Sequence, residues 1–99
     1  MSFKIKIEPD AVEDIQQGIE WYNKQLAGLG KKFLNEIRTH INLLKHNPYY
    51  QIRYDNVHCI PLKKFPFMIH FTINKTDNLV IIRAVFNTSR NPNLWVVRE

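Results

Sequence analysis

One cysteine, three glycines and no long apolar run set the first limits on this chain. Cys59 has no second thiol for an internal disulfide, so nothing ties the fold covalently. A small chain without disulfides fits a reducing compartment, and the expectation is a cytoplasmic protein. No apolar stretch approaches the ~20 residues that a membrane helix needs. The start, Met1-Ser2-Phe3-Lys4, alternates apolar and charged residues and does not read as a signal peptide. There is no Gly-rich phosphate loop, no nucleophile elbow and no paired-carboxylate motif. The four histidines (His40, His46, His58, His70) are scattered and form no ligand cluster with Cys59 or the acids. Neither zinc nor an organic cofactor is expected. Repeats, low-complexity tracts and linkers are also missing, so residues 1–99 read as a single domain.

What is present is a small core and an uneven charge. At 99 residues, folding buries roughly two-thirds of the surface an unfolded chain exposes, enough for one core. An apolar fraction of 44% is ordinary for a globular protein. Residues 1–36 carry five Lys/Arg and six Asp/Glu, a balance of −1, whereas residues 37–99 carry nine and three, a balance of +6. A basic second half points to an anionic partner, either nucleic acid or an acidic protein.

Periodicity gives the order of elements. Phe3, Ile5 and Ile7 alternate with Lys4 and Lys6, the period-2 pattern of a half-buried strand, which Pro9 ends. Asp10 and Glu13 have the spacing of a capping box. Val12, Ile15, Ile19, Tyr22 and Leu26 then form one apolar stripe of a helix. Gly28 and Gly30 interrupt it and are read as supplying the positive φ of a helix end. Phe33, Ile37, Ile41 and Leu44 form a second stripe, with Leu34 beside it, up to Asn47-Pro48. The short connection predicts an antiparallel helical hairpin over residues 10–46.

From Ile52 the period becomes two. Ile52–Tyr54 and Val57–Leu62 are strand candidates around an Asp55-Asn56 turn. Lys63-Lys64-Phe65-Pro66 is a second turn, followed by a strand in which Phe67, Ile69, Phe71 and Ile73 alternate with Met68, His70 and Thr72. After a polar loop over Asn74–Asn78, Leu79–Phe86 is apolar on both faces except for Arg83, as in the middle of a sheet. The fold class is α+β: an N-terminal strand, a helical hairpin, then a three- to four-strand antiparallel meander, with the helices on one face of the sheet. The other face has no obvious cover, and an exposed sheet surface on a basic domain is where function is expected.

Three stretches occur in order: Ala11…Asp14-Ile15…Trp21-Tyr22 on the first helix, Leu62-Lys63-Lys64-Phe65-Pro66-Phe67-Met68-Ile69 entering a strand, and Val85-Phe86-Asn87-Thr88-Ser89-Arg90-Asn91-Pro92…Trp95 after the last strand. Together they resemble ParE-type toxins of the RelE/ParE toxin–antitoxin superfamily, associated with plasmid stabilisation, from Phe3 to about Arg98. The resemblance implies a growth-inhibiting bacterial toxin neutralised by a cognate antitoxin. ParE toxins act against DNA gyrase, and RelE-type members cut messenger RNA on the ribosome. Met68 stands where the RNA-cutting group has an arginine, Trp95 is nearest to where it has a tyrosine or histidine, and Asn87 stands where ParE relatives carry histidine.

The candidate site residues are Lys63, Lys64, Arg83, Asn87, Arg90 and Trp95 for contact with target or nucleic acid, with His70, Arg83 and Arg90 as catalytic candidates. Arg90 follows a central strand, where a guanidinium can grip phosphate or carboxylate with two hydrogen bonds, or can pair with an acid such as Asp14 to hold the tail. Arg83 alternates with Val80, Ile82, Ala84 and Phe86. If those four face the helices, it lies on the open sheet face, as a contact or as a charge against aggregation. His70 is expected on that same face with Met68 and Thr72, where an imidazole of ordinary pKa ~6.5 suits proton transfer, although surface polarity alone accounts for it. Lys63 and Lys64 are phosphate contacts or solvated turn residues. Trp95 suits recognition or packing, Trp21 suits core or antitoxin-facing surface, and Cys59 is read as buried and inert.

The leading expectation is a toxin that poisons gyrase by protein contact. A metal-free endoribonuclease and a degenerate toxin that only binds its antitoxin are the alternatives.

Overall fold

A period of two up to Ile7, a period near four from there to Leu44 and a period of two after Ile52 become a strand, two helices and a meander in the computed structural model, which describes residues 2–50 and 52–88. The elements are β1 (Lys4–Ile7), α1 (Pro9–Gln25), α2 (Leu29–Leu44), β2 (Ile52–Tyr54), β3 (Val57–Pro61), β4 (Phe67–Asn74) and β5 (Leu79–Asn87). The sheet order is β1-β5-β4-β3-β2. The last four strands form an antiparallel meander, while β1 pairs parallel to β5, from Lys4 opposite Leu79 to Ile7 opposite Ile82. The sheet is therefore mixed. A parallel pair needs a long crossover, and the helical hairpin begins the connection that carries the chain away from β1 before β5 returns beside it.

Helix α1 starts one residue earlier than its sequence suggests, and without the capping box. Glu8 is the N-cap and makes no side-chain cap bond, and Pro9 opens the helix. Proline suits that position because its missing N–H would have had no helical partner anyway. The buried stripe is also rotated. Ala11, Ile15 and Gly18 are buried, with Ile19 and Tyr22 half-buried, while Val12 and Leu26 stay 47% and 63% exposed. Small residues fill the stripe because the helices approach closely: a Cβ on Gly18 would sit 2.5 Å from the Phe33 ring.

The two glycines after α1 do different things. Gly28 has the expected positive φ, +89°, but as the N-cap of α2, while α1 ends at Leu26. Gly30 lies inside α2, and packing explains it, not a positive φ. A Cβ there would meet the Ile19 carbonyl oxygen at 2.5 Å, and its N–H donates to Asn23 Oδ1 at 2.9 Å. On α2 the buried residues include Phe33, Ile37 and Leu44, and also His40.

Ala11, Ile15, Phe33, Ile37 and Leu44 close on Ile60, Ile69, Phe71, Val80, Ile82 and Val85 from the sheet and on Leu62 just after β3. Each such aliphatic or aromatic side chain contributes ~1.5–3 kcal/mol on burial. Tyr22, Phe33, Phe65 and Phe67 stack edge-on or tilted at one end, with centroids 4.8–6.1 Å apart. Burial pushes the Tyr22 phenol above its ordinary pKa. The Asp55-Asn56 turn has φ of +40° and +65°, the positive pair that a two-residue hairpin turn of the I′ kind requires.

Alternation in β5 breaks at Arg83. His70 pairs with Ala84 and Phe71 pairs with Ile82, so Arg83 is the extra residue of a β-bulge. Val80 and Ile82 face the helices, but beyond the bulge Val85 does so instead. Ala84 and Phe86 therefore turn to the second face, opposite to the sequence reading. They meet Cys59, Met68 and His70 there, because residues paired across antiparallel strands share a face. This part of the second face is not open: Cys59, Met68, His70, Ala84 and Phe86 are each no more than 7% exposed.

Candidate functional site

The end of the sheet where β4 begins and β5 ends gathers several of the sequence-derived candidates. Lys63 and Lys64 lie in the turn before β4, and both are exposed. Asn87 pairs with Phe67 across the ladder, and the Thr88 N–H donates to the Pro66 carbonyl at 2.7 Å. The start of the 87–88 segment is thus locked to the lysine turn.

The turn is held from a second side by α2. Both oxygens of the Glu36 carboxylate accept the Lys64 backbone N–H, at 3.0 and 3.2 Å. An acceptor that carries charge strengthens such a bond. The Leu62 N–H donates to the Phe67 carbonyl at 2.9 Å and closes the turn at its base. Two ammonium groups are thereby presented on a backbone that is fixed at both ends. Sequence reasoning missed Glu36, whose spacing marks it only as a flank of the α2 stripe.

Asp14 was missed as a contact to β5 as well. Its carboxylate accepts the Val85 N–H at 3.0 Å, reaching from α1 to the strand just past the bulge. A bulge leaves ladder groups in need of other partners, and an acid on the packed helix supplies one.

Arg83 sits apart from the lysine turn. Its Nε donates to Thr72 Oγ1 at 3.1 Å and its Nη1 lies 3.5 Å from Glu8 Oε1. The side chain is still 48% exposed. An ion pair this open is worth ~0–1 kcal/mol, so the guanidinium is oriented but not consumed.

His70 is not on an accessible surface. Its ring is fully buried, 3.3 Å from Cys59 Sγ through Nδ1, and lies edge-on to Phe86 at 5.0 Å. Cys59 is buried as expected, but the neighbouring strand gives it a polar contact that its sequence surroundings do not announce. Arg90 and Trp95 lie outside the described residues. Trp21 is 58% exposed on α1 and so belongs to the surface and not the core. Among the described residues no His, Cys, Asp or Glu cluster could hold a metal ion, and no helix is long and apolar enough to cross a membrane.

Alongside the turn runs a groove of about 680 Å³, bounded by α2 from Leu29 to Leu43 and by Lys63, Lys64 and Phe65. Chemically, this end of the molecule offers fixed cations beside apolar surface.

No protein-family model and no curated protein sequence matches the chain. Solved structures do. A chain of the chromosomal ParDE TA system from P. aeruginosa superposes with a TM-score of 0.73 at 15% identity, over 87% of this chain and 96% of that one. A chain of the intact E. coli RelBE toxin–antitoxin complex gives 0.69 at 11% identity, over 90% and 100%. The isolated E. coli RelE toxin gives 0.67 at 9% identity, over 97% and 95%. This chain therefore has the fold of the RelE toxin, one shared by chains of the ParDE and RelBE systems.

Proposed function

We propose that this chain is the toxin of a type II toxin–antitoxin system, silenced by a cognate antitoxin, and that it acts on DNA gyrase by surface contact and not by catalysis. The observation that carries the first part is the match of nearly the whole chain to structures of toxin–antitoxin systems, at a TM-score of 0.73 for the ParDE chain. The second part rests on chemistry. Cleavage at a ribose 2′-OH calls for a group that moves a proton, and His70, the imidazole singled out for that work, is fully buried. Exposed aromatic side chains such as Trp21 and Tyr49 suit a protein interface, and the exposed lysines suit an acidic surface on the partner.

The ribonuclease reading draws its support from Arg83, whose exposed guanidinium on the second sheet face suits phosphate stabilisation. In vitro translation with purified protein, followed by mapping of message ends, separates the two. Intact message together with gyrase-dependent DNA breaks supports the poison. Cleavage at codon positions supports the ribonuclease. If neither occurs and an antitoxin still binds, the chain is a degenerate toxin.

A further inference from the structure

Helix α2 carries a ridge on its outer side, separate from the lysine turn. Lys31, Asn35, Arg38, Asn42 and the C-cap residue Lys45 follow one another at spacings of four and three, so they share one face of the helix. All five are exposed, and their face is turned away from the buried stripe of Phe33, Ile37 and Leu44. Their side chains make no hydrogen bond or ion pair among the described residues. On the β1 side, Arg38, Asn42 and Lys45 border an open groove of about 490 Å³ together with Ile7.

The ridge has charge of one sign. Glu36, the only acid in α2, lies on another face and holds the Lys64 N–H. The exposed side of α1 is different: it mixes Glu13, Glu20 and Lys24, with Glu20 and Lys24 at the four-residue spacing of opposite charges that supports a helix. On α2 no such pairing exists along the ridge. Lys31 also stands in the first turn, where the helix dipole opposes a cation. Helix stability therefore does not account for these residues. A polyanionic partner does.

We propose that the ridge from Lys31 to Lys45 grips the phosphate backbone of duplex DNA, independently of base sequence. The proposal rests on the gyrase reading above and extends it: the chain touches the DNA that gyrase holds as well as the enzyme. Lys31, Arg38 and Lys45 are seven residues apart, which sets successive cations ~10.5 Å apart along the helix. The major groove of B-form DNA is ~12 Å wide, so neighbouring cations can reach phosphates on its two walls. Asn35 and Asn42 lie between them, with amides free to donate to backbone oxygens. The corresponding groove of an RNA duplex is narrow and deep, so the same spacing favours DNA.

The test measures fluorescence anisotropy of the full chain with a labelled 20-base-pair DNA duplex over a range of salt concentrations, without gyrase. One variant combines Lys31→Gln, Arg38→Gln and Lys45→Gln. A control removes the same charge elsewhere, with Lys4→Gln, Lys6→Gln and Lys24→Gln, and thermal melts check that both fold. For wild type, log K should fall against log salt with a slope of about −3, one phosphate for each cation. Each single ridge substitution should lower that slope by about 1. The triple ridge variant should bind at least tenfold more weakly than the control and, with gyrase present, give at least threefold fewer DNA breaks. A ridge variant that matches the control in either assay overturns the proposal, as does a wild type that binds an RNA duplex as well as the DNA. If wild type grips the DNA through the ridge and yet causes no gyrase-dependent breaks, the gyrase reading falls while the ridge assignment stands.

Discussion

Asp14 and Val85, 71 residues apart in the chain, are joined by a 3.0 Å hydrogen bond from the strand N–H to the helix carboxylate. This bond secures β5 immediately after the Arg83 bulge, where the strand has changed face. Asp14→Ala leaves a part-buried N–H without that acceptor, which costs ~1–3 kcal/mol. Urea titration should show a lower midpoint with an unchanged slope. A midpoint equal to wild type would mean that the bulge is secured by other contacts.

Gly30→Ala sets helix propensity against packing. Alanine gains ~1 kcal/mol over glycine in a helix interior. The added methyl, however, meets the Ile19 backbone oxygen at 2.5 Å, and backbone cannot swing aside. Overpacking of this kind costs ~1–3 kcal/mol, so a net loss of stability is expected. A variant more stable than wild type in the same titration would show that the hairpin relaxes at this crossing.

Ile37→Asp places a carboxylate at a position 1% exposed in the middle of the core. No cation lies within the cluster around it, and the loss should be roughly 4 kcal/mol or more. Circular dichroism should show a collapsed melting transition. A melt within a degree or two of wild type would contradict the placement of α2.

For toxicity, Lys63→Glu/Lys64→Glu should matter more than His70→Gln. The double variant reverses two exposed charges on the fixed turn. The glutamine keeps a polar group beside Cys59 in a buried place. Counting survivors after expression from a tightly repressed promoter should show His70→Gln still toxic and the lysine variant at least tenfold less so. If His70→Gln folds and is harmless, proton transfer returns as the mechanism.

Association with the proposed antitoxin should be faster at low salt than at physiological salt, because the basic half of the chain would steer an acidic partner over distances that a Debye length of ~8 Å cuts off. Stopped-flow association rates at two ionic strengths measure this. A flat response removes steering from the account.

Much of the architecture can be read from the sequence, because its signals are periodic. The switch of period between Leu44 and Ile52, the Gly28 break and the Asp55-Asn56 turn all mark real boundaries. The bulge is different. The segment from Leu79 to Phe86 is apolar in both phases, so a one-residue slip at Arg83 leaves no trace in the hydrophobic pattern. For the same reason the burial of His70, Ala84 and Phe86 on the second face was hidden. The lysine turn was legible as a turn. The acids that fix it and the end of β5, Glu36 and Asp14, lie 28 and 71 residues from the N–H groups they bind, and periodicity does not report such separations.

The parallel pairing of β1 with β5 has a consequence for how the protein is made. Ile7 is synthesised 75 residues before its neighbour Ile82. At bacterial-like rates of ~5–20 residues per second, β1 waits ~4–15 s for the strand that will hold it. When β5 emerges it is the most apolar segment of the chain, and it must find β4 on one side and the oldest strand on the other. Contacts this distant in sequence slow folding. A nascent chain stalled before residue 79 therefore carries β1 with no partner strand, and the core between hairpin and sheet closes only after β5 has been translated.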